Sequence, residues 1–220
     1  MIPSSNFHSI PKQAERLEER HSGASFCVEL CGMDIVVEPG VYQTSGDSEL
    51  MIESIEINKH QNFLEIGCGT GVISIAIAKR AARGMGVDIN EKAVANSKRN
   101  AEIQKIENIE FLVSNVFEKV VGTFDIIICN PPYTKHEVRD NIDRMFWDPE
   151  DEMKRTFFKE VGKYLKPNGR IYFGWANFAD IDVQLPLKLA EENDFKLVNT
   201  FYKPHKSDFT FYVFEFAKNV

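Results

Sequence analysis

Short apolar runs alternate with longer amphipathic segments along most of the chain. The runs at 63–66, 84–89, 109–113, 124–129 and 170–175 have the length of β-strands, and the one at 124–129 is apolar on both faces. The segments between them place apolar residues at helical spacing. Strands that alternate with helices favour an α/β fold built on a doubly wound, mostly parallel sheet.

Two further strands are predicted near the end of the chain, at 195–202 and 209–216. The short turn between them favours pairing, which brings the predicted sheet to seven strands. Ahead of the sheet, the apolar runs within 26–38 predict a small β-hairpin that turns at Cys31 and Gly32.

These elements make up a single domain over 26–220, in which a polar loop at 40–50 leads into a core at 59–220. Residues 1–25 form an N-terminal extension that is charged and carries no recognisable chemistry. A cap or a lid on the substrate side is one interpretation of this extension. A loosely ordered terminus is the preferred interpretation, because chain termini are ordered only when something ties them down.

Two helix boundaries are predicted from local signals. Asn90 follows a strand and is a good N-cap for the next helix. Asp148 and Pro149 place a cap and a proline where helices prefer them at their start. The residues at 166–169 contain a proline and a glycine, so we expect that second helix to end there.

Composition and charge narrow the class of protein. Of the 220 residues, 43% are hydrophobic and 27% are charged, as in ordinary globular proteins. No apolar run has the length of a transmembrane helix, and residues 1–10 lack the pattern of a signal peptide. We therefore expect a cytoplasmic protein with no membrane partner. The formal net charge of −7, from 33 acidic and 26 basic side chains, disfavours tight binding to a long nucleic acid.

The cysteines give no sign of a metal site. Cys27, Cys31, Cys68 and Cys129 form no CxxC pair, and no cysteine–histidine cluster has zinc spacing. Reduced thiols and no bound metal are therefore expected. The sequence also lacks a nucleophile elbow of the kind that serine hydrolases carry.

A glycine-rich loop follows the predicted strand at 63–66. Gly67, Gly69 and Gly71 have GxGxG spacing, which lets the backbone turn sharply and lets a ligand approach it closely. The dinucleotide fingerprint GxGxxG would need a glycine where Val72 stands, so a nicotinamide-dependent oxidoreductase is disfavoured. Asp88 ends the next strand, where a carboxylate can bind ribose hydroxyls.

The motif NPPY occupies 130–133, directly after the buried strand at 124–129. The two prolines remove two backbone donors and lock the turn. Carbonyl acceptors and the Asn130 amide are then left facing the cleft, and Tyr133 offers a flat face for stacking. This arrangement suits a planar NH₂ group that is held by two acceptors. A rigid turn without further function is the alternative interpretation.

The motifs EIGCGTG at 65–71 and NPPY at 130–133 resemble those of class I S-adenosylmethionine-dependent methyltransferases that modify amino groups. The chain most resembles the HemK-like, or small-domain, methyltransferases over about 26–220. The similarity includes the segment 40–50, which release-factor glutamine methyltransferases carry in similar form. Members of this family modify protein glutamine, nucleobase amino groups or small molecules.

The resemblance implies S-adenosyl-L-methionine as the cofactor and assigns roles to individual residues. It implies cofactor contacts from Glu65, Gly67, Cys68, Gly69, Gly71, Asp88, Ile89, Asn115, Val116 and Asn130. It implies catalytic roles for Asn130, Pro131 and Tyr133, and substrate contacts from Thr44, Asp47, Pro132, Tyr133 and Trp147. Asn115 departs from the pattern, because many relatives have an aspartate there for the adenine amino group.

Specificity is expected to depend on a small element. Release-factor enzymes carry a larger N-terminal domain, whereas about 25 residues precede the hairpin here. The loop at 134–147 is the best candidate, and it contains His136, Arg139, Arg144, Phe146 and Trp147. Direct contact with the substrate and a simple connecting lid both stay open for this loop.

The expected reaction is an in-line transfer of a methyl group to a planar amide or amino nitrogen. Acceptor oxygens from Asn130 and Pro131 would hold the two N–H bonds, and no strong general base is needed. A protein glutamine or a small molecule is the favoured acceptor. An RNA nucleobase and a catalytically silent binding subunit are the alternatives.

Overall fold

The computed structural model describes residues 1–219. The helices are α1 (Ile10–Ser22), α2 (Gly46–Ser54), α3 (Val72–Ala78), α4 (Glu91–Ile103), α5 (Glu152–Val161) and α6 (Leu185–Glu192). The strands are β1 (Phe26–Leu30), β2 (Met33–Val37), β3 (Asn62–Ile66), β4 (Arg83–Asp88), β5 (Ile109–Val113), β6 (Phe124–Cys129), β7 (Leu165–Ala176), β8 (Phe195–His205) and β9 (Phe209–Lys218).

The main sheet has seven strands in the order β5-β4-β3-β6-β7-β9-β8. Strands β3 to β7 are parallel to one another, and β9 is antiparallel to both β7 and β8. The predicted seven-stranded, mostly parallel sheet and the hairpin β1–β2 are therefore confirmed. The chain order reverses between β3 and β6, and such a switch point opens a crevice at the carboxyl ends of the strands.

The two central strands are buried because they carry apolar side chains on both faces. All five residues of β3 are buried, and Ile127, Ile128 and Cys129 of β6 are fully inaccessible. Helices cover both faces of such a sheet in α/β proteins. The rigid centre of the sheet thus supports the loops that follow β3, β4 and β6.

The predicted cap at Asn90 is confirmed, since its side chain accepts a hydrogen bond from the Lys92 amide at 3.0 Å. The start of α5 lies later than predicted. Pro149–Asp151 forms a short 3₁₀ turn, and the Asp148 carboxylate reaches across it to accept from the Met153 amide. The predicted end of this helix at 166–169 is wrong, because those residues lie in β7.

The N-terminal extension is ordered, contrary to the preferred prediction. Helix α1 buries Leu17 completely and also buries Gln13 and Arg20. The helix is fixed at its start by Ser9, whose amide donates to the Asp180 carboxylate at 2.9 Å. None of the helices within 1–219 combines the length and the apolar character that crossing a bilayer requires.

Candidate active site

A cavity of about 260 Å³ lies at the carboxyl ends of the central strands. Its cofactor half, as we name it, is formed by the loops after β3, β4 and β5. Its acceptor half is formed by residues 130–133, the start of α2 and aromatic side chains near β9. The cavity thus brings together fifteen of the sixteen residues that the sequence singled out. Gly71 is the exception.

Gly71 lies where the loop packs closely against α4. Its φ is +80°, and a methyl group in its place would lie 2.9 Å from Cβ of Ser97 on α4. The glycine therefore allows the loop to approach α4 closely. This contact sets the direction in which α3 leaves the loop.

The other two glycines of the loop border open space. Gly67 and Gly69 have φ values of +77° and +53°, and no atom lies within 4 Å of a methyl group built on either residue. The loop is anchored from behind, since the amides of Gly67 and Cys68 both donate to the Val87 carbonyl. The result is a fixed backbone cradle that side chains do not fill.

Asp88 is held at the rim of this cradle. Its Oδ2 accepts from the Gly69 amide and its Oδ1 from the Asn90 amide, both at 2.9 Å. Burial raises the pKa of Asp88, while these amide bonds favour its ionised form. A carboxylate oxygen can accept two hydrogen bonds, and each oxygen of Asp88 accepts one from these amides. Asp88 can therefore also accept hydrogen bonds from hydroxyl groups of a ligand.

Glu65 braces the same loop from below. It is almost completely buried and accepts hydrogen bonds from the amide and the hydroxyl of Ser74. Burial raises the pKa of Glu65 to about 8, although the bonds from Ser74 oppose the shift. Burial also raises the pKa of the neighbouring Cys68 thiol, which fits a packing role and not that of a nucleophile.

The loop after β5 forms the far wall of the cofactor half. Asn115 is exposed and donates from Nδ2 to Glu118 at 3.4 Å. Val116 is buried and has a φ of +45°. Sequence reasoning missed Ser114, whose buried hydroxyl accepts from the Lys119 amide next to the cavity. No motif marks this serine, because it lies between a strand and a turn.

The cofactor half fits a polar ligand that carries hydroxyl groups. The glycine cradle is open, and Asp88 offers a carboxylate beside it. The hydroxyls of Thr44 and Thr70, which also line the cavity, are buried without a partner among residues 1–219. Buried polar atoms without partners are rare in folded proteins, so these two indicate a place where a ligand completes the hydrogen bonding.

The acceptor half is organised around Asp47 and Asn130, which lie 83 residues apart in the chain. Asn130 donates from Nδ2 to Asp47 Oδ2 at 3.0 Å. Its Oδ1 accepts from the Tyr133 hydroxyl at 2.7 Å. Tyr42 and Ser45 donate to the same carboxylate, at 3.1 and 2.6 Å. The predicted substrate-binding Asp47 therefore contacts other members of the site.

The two proline carbonyls of the motif differ in their environment. The Pro132 carbonyl accepts from Nζ of Lys154 at 3.0 Å. Lys154 is fully buried and also pairs with Asp148 at 2.8 Å. In contrast, no group within 1–219 donates to the Pro131 carbonyl. The turn is therefore clamped at Pro132, while the carbonyl before it is available to a ligand.

An aromatic wall faces this turn, and sequence reasoning missed it. The ring of Phe209 lies 4.7 Å from Phe178, 4.9 Å from Phe7 and 4.3 Å from His205, measured between centroids. Phe211 adds a further ring at 5.0 Å. These residues come from the N-terminus, the end of β7 and the β8–β9 hairpin. No local motif could mark them, because they meet only in the folded chain.

Helix α1 and the loop at 134–147 together form the roof of the cavity. The indole N–H of Trp147 donates to Gln13 at 3.2 Å, and Trp147 packs with Leu17 and Phe146 in a small separate cluster. A bridge between Thr134 and Trp147 closes the base of the loop. Trp147 thus lines the cavity, with its indole N–H already bound to α1, and its contact with a substrate stays a prediction.

His21, Asp140 and Asp143 also bring ligand atoms close together at the outer side of the roof. The Asp143 carboxylate accepts from His21 at 2.8 Å and from Arg139 at 2.9 Å. Burial would raise the pKa of Asp143, but these hydrogen bonds outweigh it and lower the pKa to about 2. The cluster is therefore a salt-bridged clasp between α1 and the loop.

Comparison with known protein families identifies the family to which the chain belongs. The family model described as "Methyltransferase small domain" matches residues 32–202. The chain belongs to the methyltransferase small domain family. The prediction of a HemK-like methyltransferase that uses S-adenosyl-L-methionine is confirmed.

Relatives and solved structures extend the comparison. A Methanocaldococcus jannaschii protein, named a protein N5-glutamine methyltransferase, is 40% identical over 149 residues, which cover 64% of this chain and 75% of that protein. A release factor glutamine methyltransferase of Fusobacterium nucleatum is 30% identical, and the match covers 78% of this chain but 53% of that enzyme. Trm5 of M. jannaschii, solved with adenosine, has the same fold, with a TM-score of 0.67 and 18% identity over 90% of this chain and 57% of that one.

Proposed function

We propose that this protein transfers the methyl group of S-adenosyl-L-methionine to the side-chain amide nitrogen of a glutamine in a protein acceptor. The observation that carries this proposal is the pair of consecutive acceptors at the end of β6. Asn130 Oδ1 accepts one bond from Tyr133 and has capacity for another, and the Pro131 carbonyl accepts none from the described residues. Two acceptors match the two N–H bonds of a primary amide. The names of the two relatives, both of which specify glutamine, support the same acceptor.

The chemistry requires mainly positioning. The cofactor would supply a methyl group that is already activated as a sulfonium: the S–CH₃ bond would break as the N–CH₃ bond forms, a neutral thioether would leave, and the nitrogen would then lose one of its two protons to solvent. An amide nitrogen is a poor nucleophile, because its lone pair is delocalised into the carbonyl group. By accepting both N–H bonds, Asn130 and Pro131 would fix the plane of the amide, so that the nitrogen lone pair, which is perpendicular to that plane, is directed at the methyl group. They would also bind more strongly as positive charge develops on nitrogen, which lowers the barrier.

The wall and roof contribute by excluding water. Tyr133 is buried and lies edge-on to Trp175 at 5.7 Å, so its ring has a fixed place beside the acceptor turn. Burial raises the pKa of Tyr133, which keeps its hydroxyl protonated as a donor to Asn130. Electrostatic contacts of this kind are stronger in a site without bulk water.

The proposal is tested by identifying the acceptor. Purified protein is incubated with cell extract and methyl-labelled cofactor, and samples are then digested with protease or with ribonuclease. We expect protease to release the macromolecular label, and peptide mass spectrometry to place one added methyl group on a glutamine side chain. Label on another residue type, or no label at all in macromolecules, would refute a protein glutamine as the acceptor.

The role of the acceptor turn is tested on Asn130. The variant Asn130→Ala should lower kcat by about 10²- to 10³-fold, because one acceptor for the developing charge is lost. Cofactor affinity, measured by calorimetry, should stay unchanged. Asn199→Ala is the matched control, since Asn199 is exposed on β8 away from the cavity. An equal loss of cofactor affinity would contradict the assigned role.

A nucleobase amino group in RNA is the second candidate. Lys12, Arg16 and Arg144 line the cavity without a carboxylate partner in the part of the chain that the structure describes. Such cations suit phosphates, which every RNA carries. Release of the label by ribonuclease would favour this acceptor. The net charge of −7 and the named relatives favour protein.

A further inference from the structure

Asp47 is a buried carboxylate that no cation neutralises. It is 5% exposed and lies in the first turn of α2. Among the described residues, none of its contacts is to lysine or arginine. Three neutral groups donate to it, from Tyr42, Ser45 and Asn130, and the Tyr133 hydroxyl lies within hydrogen-bonding distance. Burying a charge is costly unless hydrogen bonds compensate it, so this arrangement calls for an explanation beyond packing.

The first consequence of Asp47 concerns the orientation of the Asn130 amide. A side-chain amide has an oxygen and an NH₂ group of nearly equal size, and its neighbours decide which way each points. An ionised carboxylate only accepts hydrogen bonds, so Asp47 Oδ2 fixes the NH₂ group on its own side at 3.0 Å. A flipped amide would place two acceptor oxygens against each other. Asn130 Oδ1 is thereby kept on the opposite side, available to Tyr133 and to a substrate N–H.

The second consequence concerns the single proton of the Tyr133 hydroxyl. This hydroxyl lies 2.7 Å from Asn130 Oδ1 and 3.3 Å from Asp47 Oδ2. It can donate to one of them at a time. When a substrate N–H occupies Asn130 Oδ1, the hydroxyl can rotate its proton towards Asp47. The acceptor oxygen is then freed for the substrate without leaving Tyr133 unpaired.

The third consequence is electrostatic. A carboxylate bound to the NH₂ end of an amide polarises that amide and makes its oxygen a stronger acceptor. The effect grows as positive charge develops on the nitrogen that the oxygen holds. An interaction that strengthens in the transition state raises kcat more than it lowers KM.

We infer that Asp47 is a positioning residue for methyl transfer, which acts through Asn130 and Tyr133 by fixing the amide and polarising its oxygen. This inference rests on the proposed transfer to a nitrogen held at Asn130. It differs from the sequence-based assignment, in which Asp47 contacts the substrate. The carboxylate needs no direct contact with the acceptor or the cofactor.

The test is a double-mutant cycle of Asp47→Asn and Asn130→Ala, measured by single-turnover transfer of labelled methyl into any macromolecular acceptor. Asp47→Asn keeps the shape and removes the charge, and we expect a drop in rate of about 10- to 100-fold. In the Asn130→Ala background the same change should have little further effect, because residues that act as a unit are not additive. Cofactor affinity should stay unchanged in all four proteins.

A spectroscopic readout separates positioning from simple stability. In ¹⁵N-labelled protein, the side-chain NH₂ signal of Asn130 is assigned by its loss in Asn130→Ala. We expect Asp47→Asn to shift that signal strongly. Glu49→Gln is the matched control, because Glu49 lies in the same turn of α2 but pairs with Lys203. It should leave both the signal and the rate unchanged.

The outcomes separate the two proposals. Additive effects in the cycle, an unshifted Asn130 signal, or an equal loss of cofactor affinity would overturn the role of Asp47. Label on an acceptor other than glutamine would overturn the proposed function alone, since the same cycle is then measured on that acceptor. A wild-type protein that transfers no methyl group to any acceptor would count against both.

Discussion

The two halves of the cavity are built in different ways. The cofactor half uses the backbone, with two glycines in left-handed conformations and one carboxylate fixed by amides of neighbouring loops. The acceptor half uses side chains that come from distant parts of the chain, such as Asp47 and Asn130. We therefore expect cofactor binding to depend on local backbone geometry and acceptor chemistry to depend on tertiary packing. Changes in one half should therefore leave the other half intact.

The largest expected effect concerns Glu65, whose buried carboxyl lies beneath the glycine loop of the cofactor half. Burial raises the pKa of Glu65 to about 8, well above the usual 4.5, so the folded protein favours the neutral carboxyl. The contribution of Glu65 to the free energy of unfolding is fully present below pH 4.5 and is lost as the pH rises through about 8. Between pH 5 and 9 we expect the wild-type unfolding free energy to fall by about 4 kcal/mol more than that of Glu65→Gln.

Urea unfolding at several pH values measures this difference. Glu65→Gln keeps a neutral side chain of the same shape at every pH, and it leaves the raised pKa of Asp88 in place as a shared background. Parallel pH profiles for the two proteins would show that Glu65 does not carry the effect.

Gly174 on β7 tests the acceptor half. A methyl group in its place would overlap Asn130 Oδ1 and lie 3.3 Å from Met51, so the amide has to move. We expect Gly174→Ala to lower kcat by about 100-fold, since small displacements of a reacting group are costly. Binding of the cofactor, followed by calorimetry, should be retained because the glycine cradle is untouched.

Gly162→Ala is the control for Gly174→Ala. A methyl group at Gly162 would lie 3.6 Å from Phe195, at ordinary contact distance, and the backbone there is helical. Activity should be unchanged in this variant. If Gly174→Ala lost cofactor binding as strongly as turnover, the two halves would be coupled and the comparison would fail.

Gly67 provides the smallest of the three tests, on the cofactor side. Gly67→Ala should weaken cofactor binding by about tenfold, a cost of about 1.4 kcal/mol, because its methyl group would enter the open cradle. Gly32→Ala has nearly the same backbone strain, with a φ of +70°, and likewise meets no atom within 4 Å. It lies in the turn of the β1–β2 hairpin. Isothermal titration of both variants with the cofactor separates the effect of backbone strain from the effect of filling the cradle. An equal loss of cofactor affinity in the two variants would contradict binding at the cradle.

The sequence predicts the cofactor half well because its residues are contiguous or follow successive strands. The spacing of Gly67 and Gly69 and the position of Asp88 require only local geometry and a parallel sheet. The acceptor half is predicted less completely. NPPY marks Asn130, but nothing in the sequence indicates that its amide is held by Asp47 or faced by the rings of Phe178 and Phe209.

The order of α1 was missed for a physical reason. Its buried face consists of Leu17 together with Gln13 and Arg20. Because two of these three side chains are polar, the sequence shows no apolar repeat at helical spacing that would predict a buried helix. The Gln13 amide is buried because it accepts from Trp147. Helix α1 is therefore held by tertiary partners, which range from Glu38 nearby to Trp147, 134 residues away.

The aromatic wall also has a consequence for the order in which parts of the site are synthesised. Phe7 packs against Phe209, and the Ser5 amide donates to the Asn177 carbonyl, so residues near the beginning of the sequence settle onto its last strands. Ribosomes deliver a chain in order, and contacts this far apart close late. The loops that form the cofactor half all precede β6, so every one of them is synthesised before β9. The aromatic wall, in contrast, is complete only when Phe209 and Phe211 of β9 are in place.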